Sequence, residues 1–103
     1  MIYSEESTMG AEGGRQDEVA LRRRRVSFRC WHRGMREVDL LLGRFADAHL
    51  ATLDMTELAA FEDLLSEALD RDVLAWVMGE TAVPAEWDSG LLRRIIAFHG
   101  RTT

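Results

Sequence analysis

Between residues 35 and 49 the apolar side chains Val38, Leu41, Leu42, Phe45 and Ala48 recur at the i, i+3, i+4, i+7 spacing of one helical face, while Glu37, Asp39, Arg44 and Asp47 fall outside it. This predicts an amphipathic helix. A second stripe, Leu58, Phe61, Leu64, Leu65 and Ala68, predicts another helix reaching about residue 69, with Thr56 as its N-cap and Glu57 favoured by the positive helix start. Val73, Leu74, Trp76 and Val77 predict a short helix capped by Asp70 or Asp72 and stopped by Gly79. Pro84 marks a connecting loop. After it, Trp87, Leu91, Leu92, Ile95 and Phe98 share one face of a last helix, expected to end at Gly100 with Arg93 and Arg94 toward its C-terminal half, where cations suit the dipole.

The segment from residue 17 to 33 is mixed. Leu21, Phe28 and Trp31 fall near one helical face, whereas Val26, Phe28 and Cys30 alternate as in a strand, and periodicity alone leaves residues 26–31 open. Gly34, just after a basic turn, suits a helix end that needs a left-handed residue, so a new helix is expected to follow it. Residues 1–16 hold Ser, Glu, Gly and Thr with almost nothing to bury and are expected to form a disordered acidic tail. With no Asn-Gly hairpin, no long alternating run and no internal repeat, the fold class is all-α: a compact bundle of about five short helices over residues 17–103.

Length changes the picture little: 103 residues support a single domain with one core. One cysteine, Cys30, excludes an internal disulfide and a cysteine-rich zinc fold. No run approaches the roughly 20 apolar residues of a spanning helix, and the acidic N-terminus lacks a signal-peptide core, so a cytoplasmic location without membrane insertion is expected. Charge is more informative. The net charge of -5 conceals seven arginines and no acid over residues 22–36, set against thirteen acids and only Arg44 and Arg71 over residues 37–92. One positive patch sits on an acidic body. Clustered arginines suit phosphate, which makes a small nucleic-acid-binding regulator using residues 22–36 the alternative reading, but the acidic body should repel a polyanion and a solvated helix start explains the run better.

Catalytic chemistry finds little support. His32, His49 and His99 lack any metal-ligand spacing, and the acids around Glu62, Asp63, Glu67, Asp70 and Asp72 read as a solvated helix face. Ser27 lacks the turn of a nucleophile elbow. Cys30 lies among arginines that would lower its pKa, although apolar packing is the commoner fate of a lone cysteine. The remaining feature is the corner Arg33-Gly34-Met35-Arg36-Glu37. As plain architecture, Gly34 turns the chain, Arg33 faces the last carbonyls and Glu37 sits in the next first turn. As a site, two arginines and a carboxylate on a rigid bend form a docking point for charged groups of another protein.

Trp31-His32-Arg33-Gly34-Met35-Arg36-Glu37-Val38-Asp39, followed by Leu40-Leu41-Leu42-Gly43-Arg44-Phe45-Ala46, resembles the Arg-Gly-x-x-Glu segment of the SdhE family of FAD assembly factors. The similarity continues through Thr56-Glu57-Leu58, Phe61-Glu62-Asp63-Leu64-Leu65, Asp72-Val73-Leu74-Ala75-Trp76-Val77-Met78-Gly79 and Ile95-Ile96-Ala97-Phe98-His99. The resemblance implies a five-helix protein, and so a helix at residues 26–31. It also implies a chaperone, not an enzyme, with no cofactor of its own, which helps attach FAD covalently to the flavoprotein subunit of succinate dehydrogenase and, in some bacteria, of the related fumarate reductase. The bond-forming step, attack of the partner's histidine on the flavin 8α-methyl carbon in its quinone-methide form, belongs to the partner and its cofactor. Carried over by position, Gly34 allows close backbone approach, and Arg33, Arg36 and Glu37 pair with partner groups; Met35 and Asp39 complete the expected partner-facing set.

Overall fold

The computed structural model describes residues 11–102, and among them the chain is helical throughout its regular elements, with no strand. In order these are α1 (Ala11–Trp31), α2 (Arg36–His49), a 3₁₀ turn (Leu50–Thr52), α3 (Met55–Glu67), α4 (Asp70–Met78), a second 3₁₀ turn (Ala85–Trp87) and α5 (Gly90–Thr102). The all-α expectation holds. Of the expected tail, residues 1–10 lie outside the described residues, whereas residues 11–16 open α1.

One core joins the helices. Val38, Leu42 and Phe45 of α2 meet Leu58, Phe61, Leu64 and Leu65 of α3, Val73 and Val77 of α4, and Leu91, Leu92 and Ile95 of α5. Phe45 sits at its centre, edge-on to both Phe61 and Phe98. The α1 contribution differs from the expected face: Val26 and Cys30, one helical turn apart, are buried, while Leu21 and Phe28 are exposed. The apparent strand alternation therefore contained the true helical pair, and Phe28 did not belong to it. Ala48 is likewise exposed rather than core, and Leu50 and Leu53 in the connection beyond α2 are buried instead.

Local signals explain most boundaries. The N-cap of α3 is Asp54, not Thr56: its carboxylate accepts the Glu57 N–H at 2.8 Å and the Glu57 carboxylate accepts the Asp54 N–H at 3.1 Å. That reciprocal pair satisfies two otherwise orphaned donors, which a threonine two residues later cannot do. Leu69 rather than an aspartate occupies the N-cap of α4, with Asp70 and Asp72 in the first turn, where the dipole favours them. Gly79 ends α4 in the left-handed conformation, φ 76°, as expected. In α5 the expectations shift: Trp87 precedes the helix, Gly100 lies within it, and Arg93 and Arg94 occupy its first half. They stay there because each has a specific acid, Asp88 for Arg93 at 2.9 Å and Glu57 for Arg94 at 2.7 Å. A near carboxylate outweighs a weak dipole term.

The α1–α2 crossing is tight. A β-carbon at Gly43 would overlap the Trp31 ring, so the absence of a side chain there lets the indole lie against the α2 backbone. The Trp31 indole N–H donates to Asp47 at 3.3 Å on the same helix. This contact fixes how α1 enters the bend that follows it.

Candidate functional site

The bend between α1 and α2 is built by Gly34, whose φ of +95° is a region that side-chain-bearing residues rarely adopt. Met35 then returns to extended backbone as the N-cap of α2, its carbonyl accepting the Asp39 N–H at 2.9 Å, and its side chain packs against the core. The Asp39 carboxylate reaches back to accept the Arg33 N–H at 2.7 Å. That bond crosses the bend and braces it.

Within the fold the Arg33 side chain is already engaged. Its Nε donates to Asp70 at 2.8 Å and its Nη1 to the carbonyl of Leu65 at 2.8 Å, so one guanidinium joins the end of α1, the last turn of α3 and the first turn of α4. The geometry suits both ends it touches: Leu65 offers a carbonyl from the last turn of α3, and Asp70 sits at a helix start. Only 17% of the Arg33 side chain remains accessible. The six expected partner-facing residues thus divide. Arg33, Met35 and Asp39 build the corner, while Gly34, Arg36 and Glu37 are exposed on it. Neither Arg36 nor Glu37 has an ion pair or side-chain hydrogen bond among the described residues, so their charges remain available to another surface.

The arginine run divides in the same manner. Arg22 makes a bidentate pair with Glu62 at 3.0 and 2.7 Å, Arg23 donates to the Leu53 carbonyl at 3.2 Å, and Arg29 donates to Ser66 at 3.0 Å. These tie α1 to α3 and to the loop before it. Arg24 and Arg25 are exposed. A continuous solvated helix start is therefore corrected to a mixed one, and the segment does not present seven free cations to a polyanion. The Arg22 guanidinium holds the Glu62 carboxyl below the ordinary carboxylate range, chiefly through their hydrogen bond.

Cys30 is inert rather than activated. Burial pushes its thiol up to about 12, outweighing the opposing influence of Arg33 and Arg29. Ordinary apolar packing is its role. His32 accompanies the exposed Phe28, their rings stacked 4.0 Å apart, with Nδ1 bonded to the Phe28 carbonyl at 2.7 Å. Among the described residues no group of three histidine, cysteine, aspartate or glutamate side chains is placed to hold a metal ion, and no helix is long and apolar enough to cross a membrane.

Sequence reasoning missed the partners of Arg33. Asp70 lies 37 positions away, and no local pattern connects them. It also assigned Leu41, Leu74 and Phe98 to core stripes, whereas they are only partly buried and line a surface groove that includes Glu37. The run Leu40-Leu41-Leu42 was the available signal, since three consecutive apolar positions exceed the width of one buried stripe.

Comparison with known proteins gives this geometry a context. The family described as flavinator of succinate dehydrogenase matches residues 24–99, a span that contains the whole corner, all of α2, α3 and α4, and the core-facing parts of α1 and α5. The chain is 38% identical over 93 residues to the FAD assembly factor SdhE of Acetobacter pasteurianus, covering 90% of this chain and 84% of that protein. It is also 38% identical to the mitochondrial succinate dehydrogenase assembly factor 2 of Komagataella phaffii over 79 residues, 73% of this chain and 41% of that protein. The corresponding protein of Schizosaccharomyces japonicus is 38% identical over 74 residues, 71% of this chain and 51% of that one. No solved structure matches the chain. A match of this extent, with Arg33, Gly34 and Glu37 in place at the bend, means that the chain belongs to the succinate dehydrogenase flavinator family.

Proposed function

We propose that this chain promotes covalent attachment of FAD to the flavoprotein subunit of succinate dehydrogenase, acting in the cytoplasm as a binding partner without catalytic groups or a cofactor of its own. The observation that carries this reading is the rigid corner within the family match: a bend locked from inside by Arg33 and Asp39 that leaves Arg36 and Glu37 charged and unengaged. The backbone beneath this pair of opposite charges is already fixed and loses little freedom on binding, and the order of the two charges favours one arrangement of a partner over others. The flavin's reactivity toward the partner's histidine supplies the chemistry. The chain's contribution is to select the conformation in which those groups are aligned. A closely related client, the flavoprotein subunit of fumarate reductase, falls within the same proposal.

The test is co-expression of the flavoprotein subunit with and without this chain, followed by in-gel flavin fluorescence under denaturing conditions. Covalent flavin should rise with the chain present. Equal fluorescence in both cultures would remove the proposal. Repeating the assay with the fumarate reductase subunit decides that extension.

A further inference from the structure

Between α2, α4 and α5 the surface forms a groove of about 380 Å³, open to solvent, lined by Leu41, Leu74 and Met78 and by the charged residues Glu37, Arg44 and Glu80. The core is complete without it: Leu42, Phe45, Val77 and Ile95 are buried beneath neighbouring turns of the same helices. The groove is therefore apolar surface left over after folding. Its volume falls at the lower end of the range typical of binding clefts. Met78 on its edge is 51% exposed and adjoins Leu41 and Leu74, so its apolar surface belongs to one continuous patch and is not an isolated side chain.

The charges say what kind of occupant fits. Glu57, Glu62, Asp70 and Asp88 are all paired with arginines of the chain. Glu37, Glu80 and Arg44 are exposed and have no such pair among the described residues. Two unmatched carboxylates against one guanidinium leave the groove net negative. Glu37 belongs at once to the groove and to the corner, so the two surfaces are continuous.

We infer that this groove receives an apolar segment of the flavoprotein client flanked by a cationic side chain, which pairs with Glu37 and Glu80 while the segment covers Leu41, Leu74 and Met78. This rests on the function proposed above and extends it: the corner sets orientation, and the groove supplies the apolar area a stable complex needs. A second copy of the chain is the other candidate occupant, through Phe28, which is 64% exposed beside Arg24 and Arg25. That contact would join two different surfaces head to tail, and must close into a ring or continue as a filament. The client requires no such closure.

The experiment uses the purified full chain, the recombinant flavoprotein subunit and FAD, with affinity measured by calorimetry and helicity by circular dichroism. Met78→Asp and Glu80→Arg should each keep the helical signal and weaken the complex about tenfold or more. A photo-crosslinker at Met78 should attach to an apolar segment of the client adjoining a lysine or arginine, and reversing that residue's charge should restore binding to Glu80→Arg. Unchanged affinity in both variants, with wild type binding normally, overturns the groove and leaves the proposed function standing. If Met78→Asp loses helicity, Glu80→Arg in its exposed position decides alone. Crosslinks to a second copy, with a concentration-dependent mass in sedimentation, also overturn the inference. No complex with wild type at all removes the underlying proposal along with it.

Discussion

Arg33 and Arg36 stand three residues apart in one motif, carry the same charge, and have opposite surroundings. Arg33 is turned inward, with its guanidinium on Asp70 and the Leu65 carbonyl, whereas Arg36 is exposed and unpaired among the described residues. Asp39 and Glu37 repeat the division among the acids, Asp39 bracing the Arg33 N–H and Glu37 facing the groove. Half of the motif makes the corner rigid. The other half stands exposed on it. A loss of function on mutating the motif therefore has two distinct physical causes, which stability measurements separate.

The largest effect on folding should come from Arg33→Ala. It removes two hydrogen bonds from a charged donor and leaves Asp70 and the Leu65 carbonyl unpaired in a partly buried setting, a cost of about 2–3 kcal/mol. Urea unfolding should show this as a lower midpoint with an unchanged slope. Activity should fall too, but as a consequence of a loosened bend. Arg33→Lys should recover only part of the stability, because an ammonium cannot hold both acceptors in the planar fork that the guanidinium uses.

Next comes Gly34→Ala, expected to cost about 1–2 kcal/mol from the left-handed backbone alone. Beyond its chain neighbours no heavy atom lies within 4 Å of the added β-carbon, so a clash with the rest of the fold contributes nothing. Gly34→Asn, which tolerates that backbone better, should cost less at the same site. Equal losses for the two would show that the penalty does not come from φ.

How much of this was visible beforehand follows from the range of each interaction. Helical stripes such as Leu58, Phe61, Leu64 and Leu65 repeat every three or four residues, and the left-handed stops at Gly34 and Gly79 follow from glycine itself, so these were legible. The Asp54-x-x-Glu57 capping box is also present in the sequence, and aspartate is a stronger N-cap than threonine, so this start was legible although Thr56 was the expected cap. The inward turn of Arg33 was not legible, because it depends on α4 meeting the end of α1 across 37 positions. Nor was the difference between Leu42, in the core, and Leu41, in the groove: adjacent leucines on one helix differ only through what the rest of the chain places over them.

The ion pairs that tie α1 and α5 to α3 should give a smaller, pH-dependent effect. Hydrogen bonds from Arg94 and Arg22 hold the Glu57 and Glu62 carboxyls below their ordinary value of 4.5. A depressed folded pKa means the stabilisation is fully present above the unfolded value and is lost as pH falls through the folded one. Thermal melts from about pH 6 to pH 3 should therefore show wild type losing its advantage over the Glu57→Gln, Glu62→Gln double variant as the solution becomes acidic. Both pairs are partly exposed, so the gap at neutral pH should be modest and should shrink in high salt.

The smallest change in stability and the most informative result belong to Glu37→Ala. Glu37 occupies the first turn of α2, where an exposed carboxylate contributes about 0.3–1 kcal/mol through the helix dipole, and it has no partner among the described residues to leave unpaired. Its unfolding curve should lie close to that of wild type, while covalent flavin on the co-expressed client falls well below the wild-type level. Arg36→Ala should behave in the same way. If Glu37→Ala instead lost stability as Arg33→Ala does, the motif would be one structural unit and its exposed half would have no separate role. If it kept both stability and full flavinylation, the charges on the outside of the bend would not be what the client recognises.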